Sequence, residues 1–166
     1  MDSVELLKDL AHRPLDALES VWDRVGPEDL NDHPGGHPNS IAWLLWHTGR
    51  EMDAQVAQAA GRQEVWSAQG WEERFALELS DPGHGYGHSE EQARAVVVRD
   101  REVLRGYLTA VTEESADYLA GLEAADLDEV IDRNWDPPVT RGVRLVSVYA
   151  DALQHVGQAA YVLGMR

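Results

Sequence analysis

The stretch that most constrains the fold is residues 143–164, VRLVSVYADALQHVGQAAYVLG, which has helical periodicity over its whole length. Apolar residues recur there at steps of three and four, which predicts one long helix with a packed apolar face. The residues of that predicted face are Val143, Val146, Ala150, Leu153, Val156 and Ala160. The helix also carries polar side chains within its apolar run, so we expect it to do more than pack.

Asp151 and His155 are the polar pair within this helix. They stand four residues apart, so their side chains project from one face about one turn from each other. A carboxylate near an apolar face is costly unless a positive group meets it. A divalent metal ion meets that need, with imidazole nitrogen and carboxylate oxygen as its ligands. The simpler alternative is that Asp151 and His155 hydrogen-bond each other and bind nothing else.

Length and composition narrow the class of protein. The 166 residues predict a single domain, residues 1–166, and 43% of them are hydrophobic. No apolar run approaches the roughly 18 residues of a membrane span, and the N-terminus lacks a signal pattern. We therefore expect a cytoplasmic protein without a membrane partner. The chain has no cysteine, which excludes disulfides, a cysteine nucleophile and thiolate ligands from the protein itself.

The charge balance narrows the range of partners. The net charge is −16, from 14 Lys and Arg against 30 Asp and Glu. A surface this acidic repels phosphate backbones and anionic lipid headgroups. There is no cluster of Arg with interleaved aromatic residues, so we expect no nucleic-acid partner.

Three further helices are predicted ahead of the last one. The first covers about residues 3–24, and Pro14 should kink it or divide it. The second covers about residues 40–60, between a polar cap and a glycine. The third begins at a capping box, SEEQ, and runs over residues 89–121 as the longest rod of the molecule. Four helices without an alternating strand pattern predict an all-α four-helix bundle with long connections.

Two long connections join these helices. Residues 62–89 are a mixed segment, with a short helix predicted at about residues 65–77. Residues 125–142 are predicted to be a capped turn followed by an extended loop, with Trp135 as a core residue beneath it. Long irregular connections often act as lids or binding loops, so we expect the first to be a flap over a site.

The candidate metal centre combines two helices. The three candidate ligands are His47 on the second helix and Asp151 and His155 on the fourth. Helix bundles commonly build metal sites from side chains on facing helices. Glu51, four residues after His47, competes with Asp151 for the role of carboxylate ligand. The spacing of these residues is a weak signal alone, because a chain of this length offers several such pairs.

His84 and His88 form a second pair at the same spacing, at the end of the first connection. Glycine and proline between Pro82 and Gly87 prevent a helix there, so the spacing does not bring the two rings to one face. We expect them to belong to the flap rather than to the ligand set.

Two stretches resemble the signature regions of the DinB-like superfamily: SIAWLLWHTGREMD and DALQHVGQAAYVLG. The stretches WDPPVTRGVRLVSVYAD and GHGYGHSEEQARAV are similar to its actinobacterial, mycothiol-dependent branch, and the resemblance covers nearly the whole chain. It implies a four-helix bundle, often dimeric, with a metal held by one residue of the second helix and two of the fourth. By matched motif the outer two ligands are His47 and His155. The middle ligand is His in many members and Glu in the thiol-dependent isomerase branch, whereas this chain has Asp151, one methylene shorter.

The resemblance and the ligand pattern together predict a metal-dependent thiol S-transferase or isomerase-like enzyme. Its divalent metal (zinc, with nickel or iron as alternatives) would hold a low-molecular-weight thiol, mycothiol by resemblance, as a thiolate that attacks a small electrophile. No side chain is assigned as catalytic. The candidate substrate-binding residues are Arg50, Tyr149, Gln154 and Gln158. Arg50 would hold an anionic group or, alternatively, pair with Glu51 or Asp53, and the resemblance implies a homodimer.

Two other functions remain open at the level of sequence. Two His and one carboxylate also match the facial triad of non-haem Fe(II) enzymes, which oxygen dependence would distinguish. The other open function is that of a stress-related, non-enzymatic binding or dimerisation protein with a vestigial metal site.

Overall fold

The computed structural model describes residues 1–79 and 82–165, and these residues are mostly helical. Its helices are α1 (Ser3–Trp22), α2 (Ile41–Ala60), α3 (Val65–Ala68), α4 (Trp71–Phe75), α5 (Glu90–Ala95), α6 (Arg101–Ala120) and α7 (Arg141–Leu163). Single 3-10 turns lie at Pro34–Gly36 and Ala124–Asp128. The long helices α1, α2, α6 and α7 pack into a bundle, which confirms the predicted all-α architecture.

Helix α1 begins at a strong local signal and continues through its proline. The Asp2 carboxylate accepts hydrogen bonds from the backbone amides of Val4 and Glu5, and the Glu5 side chain completes a capping box. Of the two effects predicted for Pro14, a kink or a division, the division is wrong, because one helix spans Ser3–Trp22. A proline removes only one intrahelical hydrogen bond, and the ring of Pro14 is buried in the core, where its packing offsets that loss.

Helix α2 has the predicted bounds. Ser40 Oγ accepts a hydrogen bond of 3.1 Å from the Trp43 amide at its start. Gly61, in the left-handed region at φ 63°, ends it. Gly49 in its middle makes room for α6, because a Cβ there would lie 2.7 Å from the ring of Tyr107.

The predicted third helix over residues 89–121 is wrong, since the chain leaves the helical path between α5 and α6. Val96 and Val98 are buried while Val97 is exposed, the alternation of an extended segment. Asn31 holds this segment, because its side chain accepts from the Val98 amide at 2.9 Å and donates to the Val98 carbonyl at 2.8 Å. Asp100 then caps α6. A distant side chain and three β-branched residues thus override the local helical pattern.

The two long connections contain more structure than expected. Between α2 and α5 the chain forms α3 and α4, separated at Gly70, instead of one short helix, and residues 80–81 of this connection lie outside the described part. Between α6 and α7 the strands β1 (Val130–Asp132) and β2 (Val139–Thr140) form an antiparallel hairpin. The prediction that Trp135 lies in the core is wrong: it stands at the tip of this hairpin and its side chain is 64% exposed.

The apolar face predicted for the last helix is only partly the buried one. The side chains of α7 that face the core are Leu145, Val148, Tyr149, Ala152, Val156 and Ala159. Val143 and Val146 of the predicted face are 59% and 48% exposed. The helix is apolar on two sides, so its periodicity predicts a packed face without deciding which side enters the bundle.

Helices α2 and α7 pack along each other in opposite directions. His47 lies against His155, with 4.7 Å between ring centroids, and two turns further along α2 Gln55 hydrogen-bonds Arg144 of α7. This pairing places the polar residues of both helices in one row. Within residues 1–79 and 82–165, no helix combines the length and apolar composition needed to cross a lipid bilayer.

Candidate metal centre

His47 is held in one orientation by the chain around it. Its side chain is buried, and its ring stacks on Trp43 one turn earlier in α2, with 4.7 Å between ring centroids. Its Nδ1 lies 2.5 Å from the carbonyl oxygen of His84. A carbonyl oxygen only accepts hydrogen bonds, so Nδ1 carries the proton and Nε2 keeps its lone pair.

His155 is oriented in the same way from the opposite helix. Its Nδ1 donates to the side-chain oxygen of Gln158 at 2.9 Å, one turn later in α7. Its Nε2 therefore also keeps a lone pair, and this atom lies 3.4 Å from Oδ2 of Asp151. Metal-binding histidines usually donate their second ring N–H to such a partner, which fixes the tautomer.

A buried carboxylate lies beside the two rings. Oε2 of Glu51 is 3.6 Å from Nε2 of His47. Among the described residues, ligand atoms of His47, Glu51 and His155 all lie within 4.8 Å of one another. Two ligands bound to one zinc ion are roughly 3–4 Å apart, since each bond is about 2.0–2.2 Å long. The limit of 4.8 Å is slightly wider than this range, so a small movement of the side chains would bring the three groups around a single metal ion.

The carboxylate of Glu51 is only partly hydrogen-bonded. Its Oε1 accepts from Gln55 at 2.7 Å, whereas its buried Oε2 has no hydrogen-bond donor within the described structure. A buried, unpaired carboxylate oxygen is unfavourable unless it gains a proton or a cation. The donor set of two imidazole nitrogens and carboxylate oxygen, with no sulfur, fits zinc, nickel or iron.

The proton balance of the site follows from burial. Burial, and then the adjacent Asp151 carboxylate with which a protonated Glu51 can hydrogen-bond, raise the pKa of Glu51 to about 8. Burial, assisted by the neighbouring His155, lowers the pKa of His47 to about 4. At neutral pH and without a metal, Glu51 therefore carries a proton and His47 is neutral. A divalent cation, if bound there, would take the place of that proton.

Asp151 is the fourth polar group of this cluster. It is half-buried, with Oδ2 3.4 Å from Nε2 of His155, and its carboxylate adjoins that of Glu51. The structure thus brings together all three residues predicted as ligands and the alternative carboxylate, Glu51. Which of the two carboxylates binds the metal stays a prediction.

The segment Pro82–His88, here called the strap, crosses over His47. Three successive carbonyl oxygens of the strap accept side-chain hydrogen bonds: Pro82 from His88 at 3.0 Å, Gly83 from Arg50 at 3.0 Å and His84 from His47 at 2.5 Å. Gly85 then approaches the imidazole of His47 so closely that a Cβ would lie 2.8 Å from Nδ1. Its φ of 94° also favours glycine.

The centre opens on a cleft of about 650 Å³ between α2, α7 and the strap. The carboxylates of Glu51 and Asp151 belong to its wall. A small molecule therefore has a path to the ligand cluster, whereas a purely structural metal site is ordinarily closed.

The comparisons with known proteins agree with this architecture. The family model of the DinB superfamily matches residues 11–159, which includes both histidine-bearing helices. The chain belongs to the DinB superfamily. A solved structure described as a conserved protein of Enterococcus faecalis is similar to this DinB superfamily chain with 37% sequence identity and a TM-score of 0.90. That similarity covers 98% of this chain and 96% of the other. A comparison with curated proteins gave no match.

The candidate substrate-binding residues of this superfamily member lie in different environments. Arg50 is buried, and its guanidinium donates to Glu64 at 2.7 Å, to Tyr107 and to the strap. It therefore stabilises the fold, and it is absent from the cleft wall. Tyr149 is fully buried in the core, where burial raises the pKa of its hydroxyl well above the ordinary value. Neither residue lines the cleft.

Gln154 and Gln158 are closer to the predicted roles. Gln154 is exposed and lines the cleft. Gln158 accepts from His155 and so orients that ring. His84 is exposed at the cleft wall, and its backbone rather than its ring contacts His47.

His88 is unsuited to bind a metal because both ring nitrogens are engaged. Its Nδ1 accepts from the indole N–H of Trp43 at 3.2 Å, so its Nε2 carries the proton that it donates to Pro82. The His88 ring also stacks on Trp46, with 5.7 Å between ring centroids.

Sequence reasoning missed the carbonyl of His84 and the close contact of Gly85. A backbone carbonyl has no signal in the side-chain pattern. The run of glycines at residues 83, 85 and 87 was a visible signal, but it indicated a flexible flap rather than a close contact.

Proposed function

We propose that this DinB superfamily protein is a metal-dependent enzyme that transfers an exogenous thiol to a small electrophile, or uses such a thiol to isomerise one. One observation supports the proposal most. Two imidazoles present unprotonated Nε2 atoms toward a buried carboxylate oxygen without a donor, beside an open cleft.

His47, His155 and a carboxylate, Glu51 or Asp151, would hold the metal, for which zinc is the expected ion. A divalent metal with three protein ligands keeps an open coordination position and stabilises a bound thiol as its thiolate. The chain has no cysteine, so a thiol nucleophile has to come from outside the protein.

The protein's own groups would bind and orient. Gln158 and the His84 carbonyl keep both imidazoles in the metal-binding tautomer. The indole of Trp43 covers one face of His47 and, with the strap, limits the access of water. The thiol of the mycothiol type is implied by family resemblance, and we place the reaction in the cytoplasm, where such thiols stay reduced.

A thiol-conjugation assay tests this proposal. The zinc-loaded protein should accelerate conjugate formation between mycothiol and 1-chloro-2,4-dinitrobenzene, and His155→Ala should remove the acceleration. His12→Ala, which changes an exposed histidine of α1, is the matched control and should remain active. Equal rates for all three proteins and buffer would refute the proposed activity.

A second candidate is a non-haem Fe(II) enzyme, because two histidines and one carboxylate also make a facial triad. Iron in the purified protein, with oxygen consumption that depends on substrate, would favour it. Metal content without either activity would favour the non-enzymatic binding role.

We also propose that the protein forms a homodimer through the outer face of α7. That face consists of Val146, Leu153, Gly157, Ala160 and Tyr161, and it bears no charge. Tyr161 is 72% exposed, and large exposed apolar residues in a row mark contact surfaces. Two chains of charge −16 repel each other over most of their surface, so an uncharged face is the favourable place for them to meet.

A further inference from the structure

The residues that line the cleft beside the candidate metal centre indicate which kind of substrate fits it. Its wall combines side chains of α2, α7, the strap and the hairpin tip. The lining residues with polar or aromatic side chains are Glu51, Gln55, Gln58, His84, Tyr86, Trp135, Arg144, Ser147, Asp151 and Gln154. Its chemistry is therefore amide-rich, with two aromatic rings and a single cationic side chain among the described lining residues.

The antiparallel helices give the cleft a direction. Arg144 precedes Asp151 by two turns of α7, which is about 10 Å at 1.5 Å per residue. Gln58 follows Glu51 by the same distance along α2. A substrate that reaches from the metal centre along the cleft therefore meets Arg144 and Trp135 at the far end.

Arg144 is not available to a substrate anion, because its charge is already paired. Its guanidinium donates to Asp132 Oδ2 at 2.8 Å and to Gln55 Oε1 at 3.4 Å. The two ion-pair partners are 18% and 21% exposed, so both are partly desolvated. A carboxylate on the substrate would have to displace Asp132, and it would also face Glu51 and Asp151 in an acidic protein.

The aromatic rings at the rim are unusually open to solvent. Trp135 is 64% exposed and Tyr86 is 87% exposed, and they come from the hairpin tip and the strap respectively. Trp135 also lines a smaller adjoining cavity of about 310 Å³, together with Val139 and Val143. Exposed aromatic side chains in a cleft offer apolar faces for stacking on a planar ligand.

We infer that the electrophile taken by this cleft is an uncharged aromatic compound, and that the Asp132–Arg144 pair excludes anionic ones. This inference rests on the proposed thiol transfer at the same centre. Trp135 is the residue that we expect to contact the aromatic ring, and Asp132 determines the charge preference.

A matched pair of electrophiles tests the charge preference. The uncharged 1-chloro-2,4-dinitrobenzene is compared with the anionic 4-chloro-3-nitrobenzoate, each corrected for its uncatalysed rate with mycothiol. In both reactions the thiol sulfur bonds to the ring carbon, chloride leaves with the bonding electron pair, and the thiol proton passes to solvent. The uncharged compound should have the higher corrected kcat/KM, and equal or reversed values would overturn the inference.

Substitution of Asp132 should change that preference. Asp132→Asn retains Oδ1 as acceptor for Asn134 but frees the charge of Arg144. The preference for the uncharged compound should fall by about three- to tenfold. Asp117→Asn removes an exposed carboxylate of α6 with the same change in net charge, and should leave the preference unchanged. Equal effects of both variants would mean that net charge, rather than the pair, sets the preference, and would overturn the role of Asp132.

Binding without metal or thiol separates this inference from the proposed reaction. Calorimetry of the chelator-treated protein should show binding of unreactive 2,4-dinitrotoluene, weaker binding of 4-methyl-3-nitrobenzoate, and loss of the former in Trp135→Ala. If this pattern is found without any turnover, thiol transfer is wrong and the aromatic subsite stands. If turnover is found but Trp135→Ala binds as the wild type does, the subsite is wrong and thiol transfer stands.

Discussion

At the scale of single residues, the centre depends on where two protons sit. Both histidines place the ring proton on Nδ1, because a carbonyl and an amide oxygen accept it there. Both Nε2 atoms therefore keep a lone pair with which they could bind a cation without a change of tautomer. Glu51 completes the set, and it must lose a proton before it can act as a ligand.

The two carboxylates can be distinguished by metal affinity. Glu51 has a ligand atom within 4.8 Å of both imidazole ligand atoms. Asp151 is not a member of that group of three, although its Oδ2 lies 3.4 Å from Nε2 of His155. We predict that Asp151→Asn weakens zinc binding by about 10–100-fold, the effect typical of an outer partner, and that Glu51→Gln weakens it more. Competition with a chromophoric chelator measures both values. The opposite order would assign the ligand role to Asp151.

The pH dependence of stability provides a second test at this scale. The native pKa of Glu51 is about 8 against 4.5 for the free side chain, so its stabilising contribution is lost as pH rises through 8. For His47 the native value is about 4 against 6.5, so its contribution is complete above pH 6.5 and is lost as pH falls through 4. Of these two contributions, only that of Glu51 changes between pH 6.5 and 8.

We therefore predict that the Tm of the metal-free protein falls from pH 6.5 to 8, and that Glu51→Gln largely removes this decline. Calorimetry in the presence of a chelator measures it. A parallel decline in wild type and variant would show that Glu51 is ionised throughout this range.

The spacing of side chains along the sequence was enough to predict which residues form this cluster. The backbone contacts of the strap with His47 could not be predicted in this way. His47, Asp151 and His155 stand at helical positions whose direction follows from the sequence once two helices are known to be neighbours. The alternative ligand, Glu51, was visible for the same reason. For Arg50, the alternative of an ion pair with Asp53 is confirmed, at 3.6 Å between Nη1 and Oδ2. The substrate-binding alternative was misjudged because the sequence does not show that Glu64, Tyr107 and the strap already occupy the donors of this side chain.

At the scale of elements, the sequence predicts where some helices begin and end better than it predicts which side of a helix is buried or where a distant contact interrupts one. The bounds of α2 and α7 follow from caps and periodicity. The orientation of α7 does not, because the helix has apolar residues on two sides. The break between α5 and α6 depends on Asn31, which is 67 residues from Val98 and leaves no local signal.

The strap should determine metal affinity through Gly85. Gly85→Ala would place a Cβ 2.8 Å from His47 Nδ1 and 3.0 Å from the Trp46 ring, so the strap or the imidazole must move. We predict that zinc binding weakens by about 10–100-fold, as for the loss of an outer partner of a ligand.

Gly87→Ala is the matched control for this prediction. Gly87 also has positive φ, 77°, but a Cβ at that position would have nothing within 4 Å, so backbone strain is common to both variants and the contact with His47 is not. Equal loss of affinity in the two variants would mean that the strap acts only through its backbone conformation.

At the scale of the whole molecule, the charged side chains and the exposed apolar residues of α7 occupy different parts of the surface. The chain carries −16, yet the outer face of α7 has no charged side chain. We predict a homodimer, and light scattering should give about twice the mass of one chain, 18.5 kDa. Val146→Asp should shift the protein to monomer, because each interface would then bury two like charges.

Val97→Asp is the control for the dimer. Val97 is 45% exposed, close to the 48% of Val146, but it lies in the segment between α5 and α6. This variant should remain dimeric. A monomeric wild type, or dissociation by both variants, would show that the outer face of α7 is not the interface.

The central claim is that His47 and His155 hold one metal ion together. X-ray absorption at the zinc edge tests it most directly, since it counts imidazole ligands and measures their distances. We predict two imidazole nitrogens per zinc at about 2.0–2.1 Å in the wild type, and one in His155→Ala. Fewer than two in the wild type, or the same number in both proteins, would contradict the account.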